Sequence, residues 1–131
     1  MPQADGPVKF TDVDRDPYSG IGTESNRVVR DANAWSALWA QHKSGRTPQP
    51  ALPAIDFSKD LIAAVFAGQR PNSCWELNIE RVSRLEGKIV VEYRLRDVTP
   101  VAICAMAITS PSHLVALPRT DLPVEFRRLT N

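Results

Sequence analysis

The stretch that decides the fold is Leu61-Ile-Ala-Ala-Val-Phe-Ala67, apolar at every position and followed by Gly68 and Pro71, which turn the chain. A strand with one wet face alternates apolar and polar residues. A strand with no polar position has both faces covered, so this segment is expected to be central in a sheet. One cover is the helix expected from about Ala34 to Lys43, with Asn33 or Asp31 as its N-cap and Ser44-Gly45 closing it. On it Trp35, Leu38, Trp39 and His42 fall at i, i+3, i+4 and i+7, one stripe. Two tryptophans on so short a helix imply a sheet beneath it. His42, at the end of the stripe and with no carboxylate close by in sequence, is expected to be partly exposed near the negative end of the helix dipole.

Downstream lies the clearest hairpin. Trp75, Leu77 and Ile79 share a face of the first strand; Ile89, Val91, Tyr93 and Leu95 share a face of the second, with Glu92, Arg94 and Arg96 opposite. Leu85-Glu-Gly-Lys88 supplies the glycine that a tight turn needs. Val82 breaks the parity of the first strand. One extra residue at Glu80-Arg81 opposite Glu92, a β-bulge, would set Val82 against Val91 and keep Ile79 against Tyr93. Glu76, Glu80 and Glu92 then lie on the polar face, where salt-bridged carboxylates are the default.

Elsewhere the elements are short. A weak strand is expected at Val8–Val13 and another at Arg27–Arg30, with a turn-rich passage through Asp16–Gly20 between them. Arg46–Pro53 reads as an extended connector. The apolar run Val101–Ile108 reads as a strand buried on both faces, followed after Ser110-Pro111-Ser112 by strands at His113–Leu117 and Val124–Leu129. Eleven prolines against six glycines fall mostly between these elements. The expected fold is mainly β, an antiparallel sandwich or partly open barrel with one short helix near residues 34–43 packed on the sheet. All 131 residues form a single domain, with 1–32 an N-terminal extension of the same core.

Charge and hydropathy exclude several classes. Sixteen basic and fifteen acidic residues leave a net charge of +1, so no global field draws the protein to nucleic acid. No apolar run approaches the roughly 18 residues of a membrane helix. The first residues carry neither a basic nor an apolar signal region, so the chain is expected to be cytosolic or to begin at a processed end.

Chemistry-bearing residues are few. Asp12, Asp14 and Asp16 alternate as in a calcium loop, but Pro17 stands where that loop needs glycine and Thr23 where it needs a bidentate carboxylate, so a solvated turn is expected. His42, His113, Cys74 and Cys104 lack the short paired spacings of a metal site, and no cofactor or metal is expected. Ser112-His113 lies in a proline-broken turn, not in a nucleophile elbow. A hydrolase would need His42 or His113 within hydrogen-bond reach of a serine and a carboxylate. Cys74 and Cys104 admit one intramolecular disulfide; two small buried thiols are the alternative.

Together, Trp35-x-x-Leu38-Trp39, Ile55-Asp-Phe-Ser-Lys59, the apolar strand ending in Gly68-Gln-Arg-Pro71, and Thr109-x-Pro111-x-His113-Leu-Val115 resemble the C-terminal domain of the PrcB family, named for a subunit of a bacterial surface protease complex. Where that family usually carries Thr-Gly-Gly-Tyr, this chain has Asn72-Ser73-Cys74-Trp75. The resemblance implies a non-catalytic accessory domain of exported or lipid-anchored bacterial proteins that stabilises or escorts a protease, with no catalytic residue to carry over. The substitution of Cys74 for a glycine, matched by Cys104, favours the disulfide and an extracytoplasmic location. A protein partner is then expected to meet a sheet edge or the loop around Arg70, Asn72 and Trp75, with Trp75 the best anchor if it is exposed. A small-ligand carrier with a tryptophan-lined pocket is the alternative.

Overall fold

The computed structural model describes residues 4–99 and 103–130. Its elements in chain order are β1 (Gly6–Pro7), β2 (Thr11–Asp16), β3 (Ser25–Val29), α1 (Ala32–His42), β4 (Asp60–Phe66), β5 (Trp75–Leu85), β6 (Lys88–Asp97), β7 (Ser112–Pro118) and β8 (Val124–Arg128). They form two four-stranded sheets of order β1-β5-β6-β8 and β2-β7-β4-β3. The pairs are antiparallel except β6 with β8, which run parallel. The protein is thus mainly β, a sandwich with one helix laid on its outer side.

The uniformly apolar β4 has the place its composition demands, between β7 and β3 in the middle layer. Leu61, Ala63 and Val65 pack with Leu77, Ile79, Val82, Ile89, Val91 and Leu95 of the opposing sheet. Ile62, Ala64 and Phe66 pack on the other side with Trp35, Leu38 and Trp39 of α1. Burying six such side chains contributes on the order of 10 kcal/mol of transfer free energy before entropy is charged against it. The helix starts two residues earlier than its apolar stripe suggested, because Asp31 is the cap: its carboxylate accepts from the Ala34 amide. The 46–53 connector gives the tryptophans their acceptors, with Trp35 Nε1 donating to the Pro53 carbonyl and Trp39 Nε1 to Pro50, each at 2.9 Å.

The hairpin carries the expected bulge. Ile79 pairs with Tyr93, Arg81 with Glu92 and Val82 with Val91, the register shifting between Ile79 and Arg81. Glu86 and Gly87 both have positive φ, the two-residue turn that matches the twist of a hairpin.

Three expectations are corrected. The first strand is divided: Gly6–Pro7 edges one sheet, the chain crosses over, and Thr11–Asp16 edges the other, so Asp16 ends a strand and Asp12, Asp14 and Asp16 are not a solvated turn. Of the run Val101–Ile108, residues 103–108 form no strand and stand outside the core. Both sides of β7, the strand that follows the run, are taken by β2 and β4. The start of that run, 101–102, lies outside the described residues. Lastly, His42 is fully buried.

Candidate functional site

Two places concentrate chemistry. The first is where the β2 aspartates meet the C-terminal end of α1. His42 Nε2 lies 2.7 Å from Asp14 Oδ2, and its Nδ1 lies 2.7 Å from Ser19 Oγ. A carboxylate only accepts, so Nε2 carries the proton in the neutral ring, and Nδ1 accepts from the Ser19 hydroxyl. Lys43 Nζ stands 2.8 Å from both Asp14 Oδ2 and Asp16 Oδ2, and Arg46 bridges both oxygens of Asp16. Burial pushes the Asp14 and Asp16 carboxyls up, but their hydrogen bonds, from His42 and Lys43 to Asp14 and from Lys43 and the Tyr18 amide to Asp16, hold both below the ordinary value. Ligand atoms of Asp14, Asp16 and His42 lie within 4.8 Å of one another, the spacing of a cation site. The cation between the carboxylates is the Lys43 ammonium.

Serine, imidazole and carboxylate are therefore in line, the arrangement set as the requirement of a hydrolase. The surroundings oppose nucleophilic use. Ser19 is 7% exposed. Its oxygen already accepts from the Ile21 amide at 3.1 Å. The amides from 18 to 21 are all committed, to Asp16 Oδ1, the Ser110 carbonyl, the His42 carbonyl and Ser19 Oγ in turn, which leaves none of them to hold an oxyanion. A Cβ at Gly20 would collide with Ser44 Oγ and the Gln41 carbonyl, so the segment lies hard against the helix end. These groups tie a loop to a helix.

His113 makes a second tie. It is fully buried, its Nδ1 accepts from the Ile79 amide at the bulge at 2.8 Å, and its Nε2 donates to Asp12 at 2.7 Å. Burial pushes the imidazole pKa below its usual value, against the pull of Asp12. The folded state thus favours neutral His113, so the contribution is complete above pH ~6.5, the unfolded pKa, and is lost as pH falls toward the lower folded value. Asp12, lowered chiefly by its bond to His113, and Asp14 and Asp16 lose their contributions only as pH falls below ~3.8. Stability measured by urea unfolding is therefore expected to drop in two steps on acidification. His113→Asn removes the upper step and leaves the lower; an upper step that survives in this variant contradicts the assignment.

The second place is the loop pair at the start of β5. Cys74 and Cys104 form a disulfide. Around it Arg70 and Thr109 exchange backbone bonds, the Ser73 amide donates to the Ala105 carbonyl, and Thr109 Oγ1 donates to the Asn72 carbonyl. Asn72 Oδ1 accepts from the Cys74 amide. Arg70 donates to the Ala67 carbonyl and to Glu24, and its guanidinium lies 4.7 Å from the Trp75 ring centre. Trp75 is half-buried and packs on the core. Arg70 and Asn72 accordingly shape the loop itself, although the buried Arg70 Nε has no hydrogen-bond partner among the described residues. The side chains this scaffold turns outward are Ile103, Met106 and Ile108, at 105%, 89% and 67% exposure. They are the residues that sequence reasoning placed in the core, and Cys104 within the run was the signal that the segment is pinned at the surface. Trp35 and Trp39 are core residues, so the helix tryptophans do not line a pocket for a carrier.

No curated protein and no solved structure matches the chain. The family model described as PrcB C-terminal matches residues 61–118, a span running from β4 to the end of β7 that takes in both cysteines, while the Trp35-x-x-Leu38-Trp39 and Ile55–Lys59 motifs lie before it; over that span, a little under half of its length, the chain is similar to the PrcB C-terminal family.

Proposed function

We propose that this chain is a non-catalytic accessory domain that works outside the cytoplasm and binds a protein partner, a protease by the family resemblance, through the disulfide-pinned surface of residues 70–75 and 103–109. The observation that carries this reading is the outward display of Ile103, Met106 and Ile108 on a segment fastened by a disulfide and by backbone bonds. Clustered exposed apolar side chains mark contact surfaces, and pre-ordering the segment lowers the entropy lost on binding. The disulfide suits an oxidising compartment. Among the described residues no helix is long and apolar enough to cross a membrane.

Photo-crosslinking tests the binding surface: a crosslinking side chain at Met106 is expected to join to a protease in the producing cells, and one at Arg27, on β3, is not. The Ser19-His42-Asp14 alignment favours a hydrolase as the second reading. Its test is a fluorophosphonate probe on the oxidised protein. Ser19 is expected to stay unlabelled at neutral pH, and labelling abolished by His42→Gln would replace the accessory reading with an enzymatic one.

A further inference from the structure

The two sheets end on β1 and β8 and on β2 and β3. Unpaired edges are templates for another strand unless something blocks them. Three of these edges carry an obstacle to pairing with a second copy of themselves. β2 is broken by a register shift between Asp12 and Asp14. Beside the two residues of β1, the open part of β5 is crossed by Arg15 and His113, which bond Leu77 and Ile79. β3 has Arg27 at its centre, so a fully overlapping second β3 sets arginine against arginine. β8 has none of these features: it holds no proline or glycine and pairs with β6 in unbroken register.

The bonds to β6 fix which main-chain groups of β8 stay open. The Ile89 amide donates to the Pro123 carbonyl, and the Leu129 amide donates to the Tyr93 carbonyl. Successive residues of a strand turn their main-chain groups to opposite sides. Glu125 and Arg127 therefore also face β6, and Val124, Phe126 and Arg128 turn N–H and C=O to the open edge. Among the described residues no other element bonds those groups.

The side chains divide the same way. Val124 and Phe126 pack on the core from the inner face and remain partly exposed. Glu125 and Arg127 share the outer face, with side chains 40% and 46% exposed. They bond each other, and Glu125 also accepts from Lys88. Pairs this exposed are weak, and both groups stay able to face a further charge.

Three antiparallel registers bring the middle of one β8 against the middle of another. Centring on Glu125 opposes glutamate to glutamate, and centring on Arg127 opposes arginine to arginine, both unfavourable. Centring on Phe126 overlaps all five residues. Phe126 then exchanges main-chain bonds with its counterpart and Val124 with Arg128, which are the residues whose groups are open. Each Glu125 falls opposite the other copy's Arg127, and the two phenylalanines cover each other's exposed sides. Only this register suits backbone, charge and apolar surface together.

We propose that the chain forms a two-fold dimer through β8, joining one four-stranded sheet of each copy into a continuous sheet. Such a contact is isologous and closes on itself, so assembly stops at two. It does not use the pinned surface of residues 103–109, which borders β5 on the far side of β6.

Sedimentation velocity of the oxidised full chain is expected to show a monomer that passes to a dimer as concentration rises. Over the same series the amides of Val124, Phe126 and Arg128 are expected to gain protection from hydrogen exchange, while those of Glu125 and Arg127 are protected throughout. Glu125→Arg and Arg127→Glu, both at exposed side chains, each set like charges across the two-fold and are expected to weaken the dimer about tenfold or more. Mixed, the two variants are expected to form a heterodimer, because two arginines on one strand then face two glutamates on the other. A wild-type chain that stays monomeric across the series overturns the proposal, as does a dimer in which the three outward amides gain no protection. A mixture that associates no more tightly than its components overturns the register and the proposal with it. A dimer indifferent to both charge changes but lost when Ile103 and Ile108 are replaced by serine assigns self-association to the pinned segment and overturns the pairing of β8.

Discussion

Replacing Cys74 and Cys104 together by serine is expected to lower the unfolding free energy by about 3–4 kcal/mol, the loop-closure value for a bridge between residues 30 apart. That is a large share of the roughly 5–15 kcal/mol that holds a domain of this kind together. The loss is local in structure though global in energy. The two cores are built from β4, β7, the hairpin and α1, none of which is joined by the bridge to another core element. Residues 103–109 hang on the disulfide and on bonds to Arg70, Asn72 and Ser73. Hydrogen exchange of the double serine variant is therefore expected to show lost protection at Ala105 and Thr109 first, with β4 still protected. A change under 1 kcal/mol, or protection lost evenly over the sheets, contradicts this account of the loop.

Lys43→Met is expected to cost about 3–5 kcal/mol, because it removes the ammonium shared by Asp14 and Asp16. The Asp16 side chain is 1% exposed and keeps only Arg46 as a charged partner, itself drawn toward solvent, while Asp14 keeps His42. Removing one member of a buried charged group leaves the others uncompensated, which is dearer than removing the group as a whole. Adding Asp16→Asn to Lys43→Met is therefore expected to recover part of the loss, so that the double variant is more stable than the sum of the single changes. Strict additivity by thermal unfolding of the three proteins would show that lysine and aspartate do not act together.

Local pattern made the layers legible, and distance in sequence hid the polar sites. β4 announced its two covers because no position offers a wet face, and Val82 announced the bulge because its parity fails by one residue. The Asp14-His42-Ser19 and Asp12-His113 contacts join residues 23 to 101 positions apart. Nothing in a local window marks them, so His42 read as a helix-end residue and the aspartates as a turn. The 103–108 run misled for a different reason. An apolar run reads alike whether it enters a sheet or is tied to the outside. Here both sides of β7 are taken by β2 and β4, and the disulfide with the Ser73 and Arg70 bonds holds the segment beside the start of β5, outside the sheets. The proposed surface was therefore half legible: Arg70, Asn72 and Trp75, which local pattern singled out, lie beside it, and its apolar component read as core.

Whether the outward residues of the pinned segment form a protein-binding surface is decided by photo-crosslinking from Met106, with Arg27 as the control position and the adduct identified by peptide mass spectrometry. One discrete adduct is expected from Met106, its partner peptides belonging to a protease, lost when Ile103 and Ile108 are replaced by serine and absent from Arg27. The same adducts from both positions, or none from Met106 while the disulfide is intact, would contradict it.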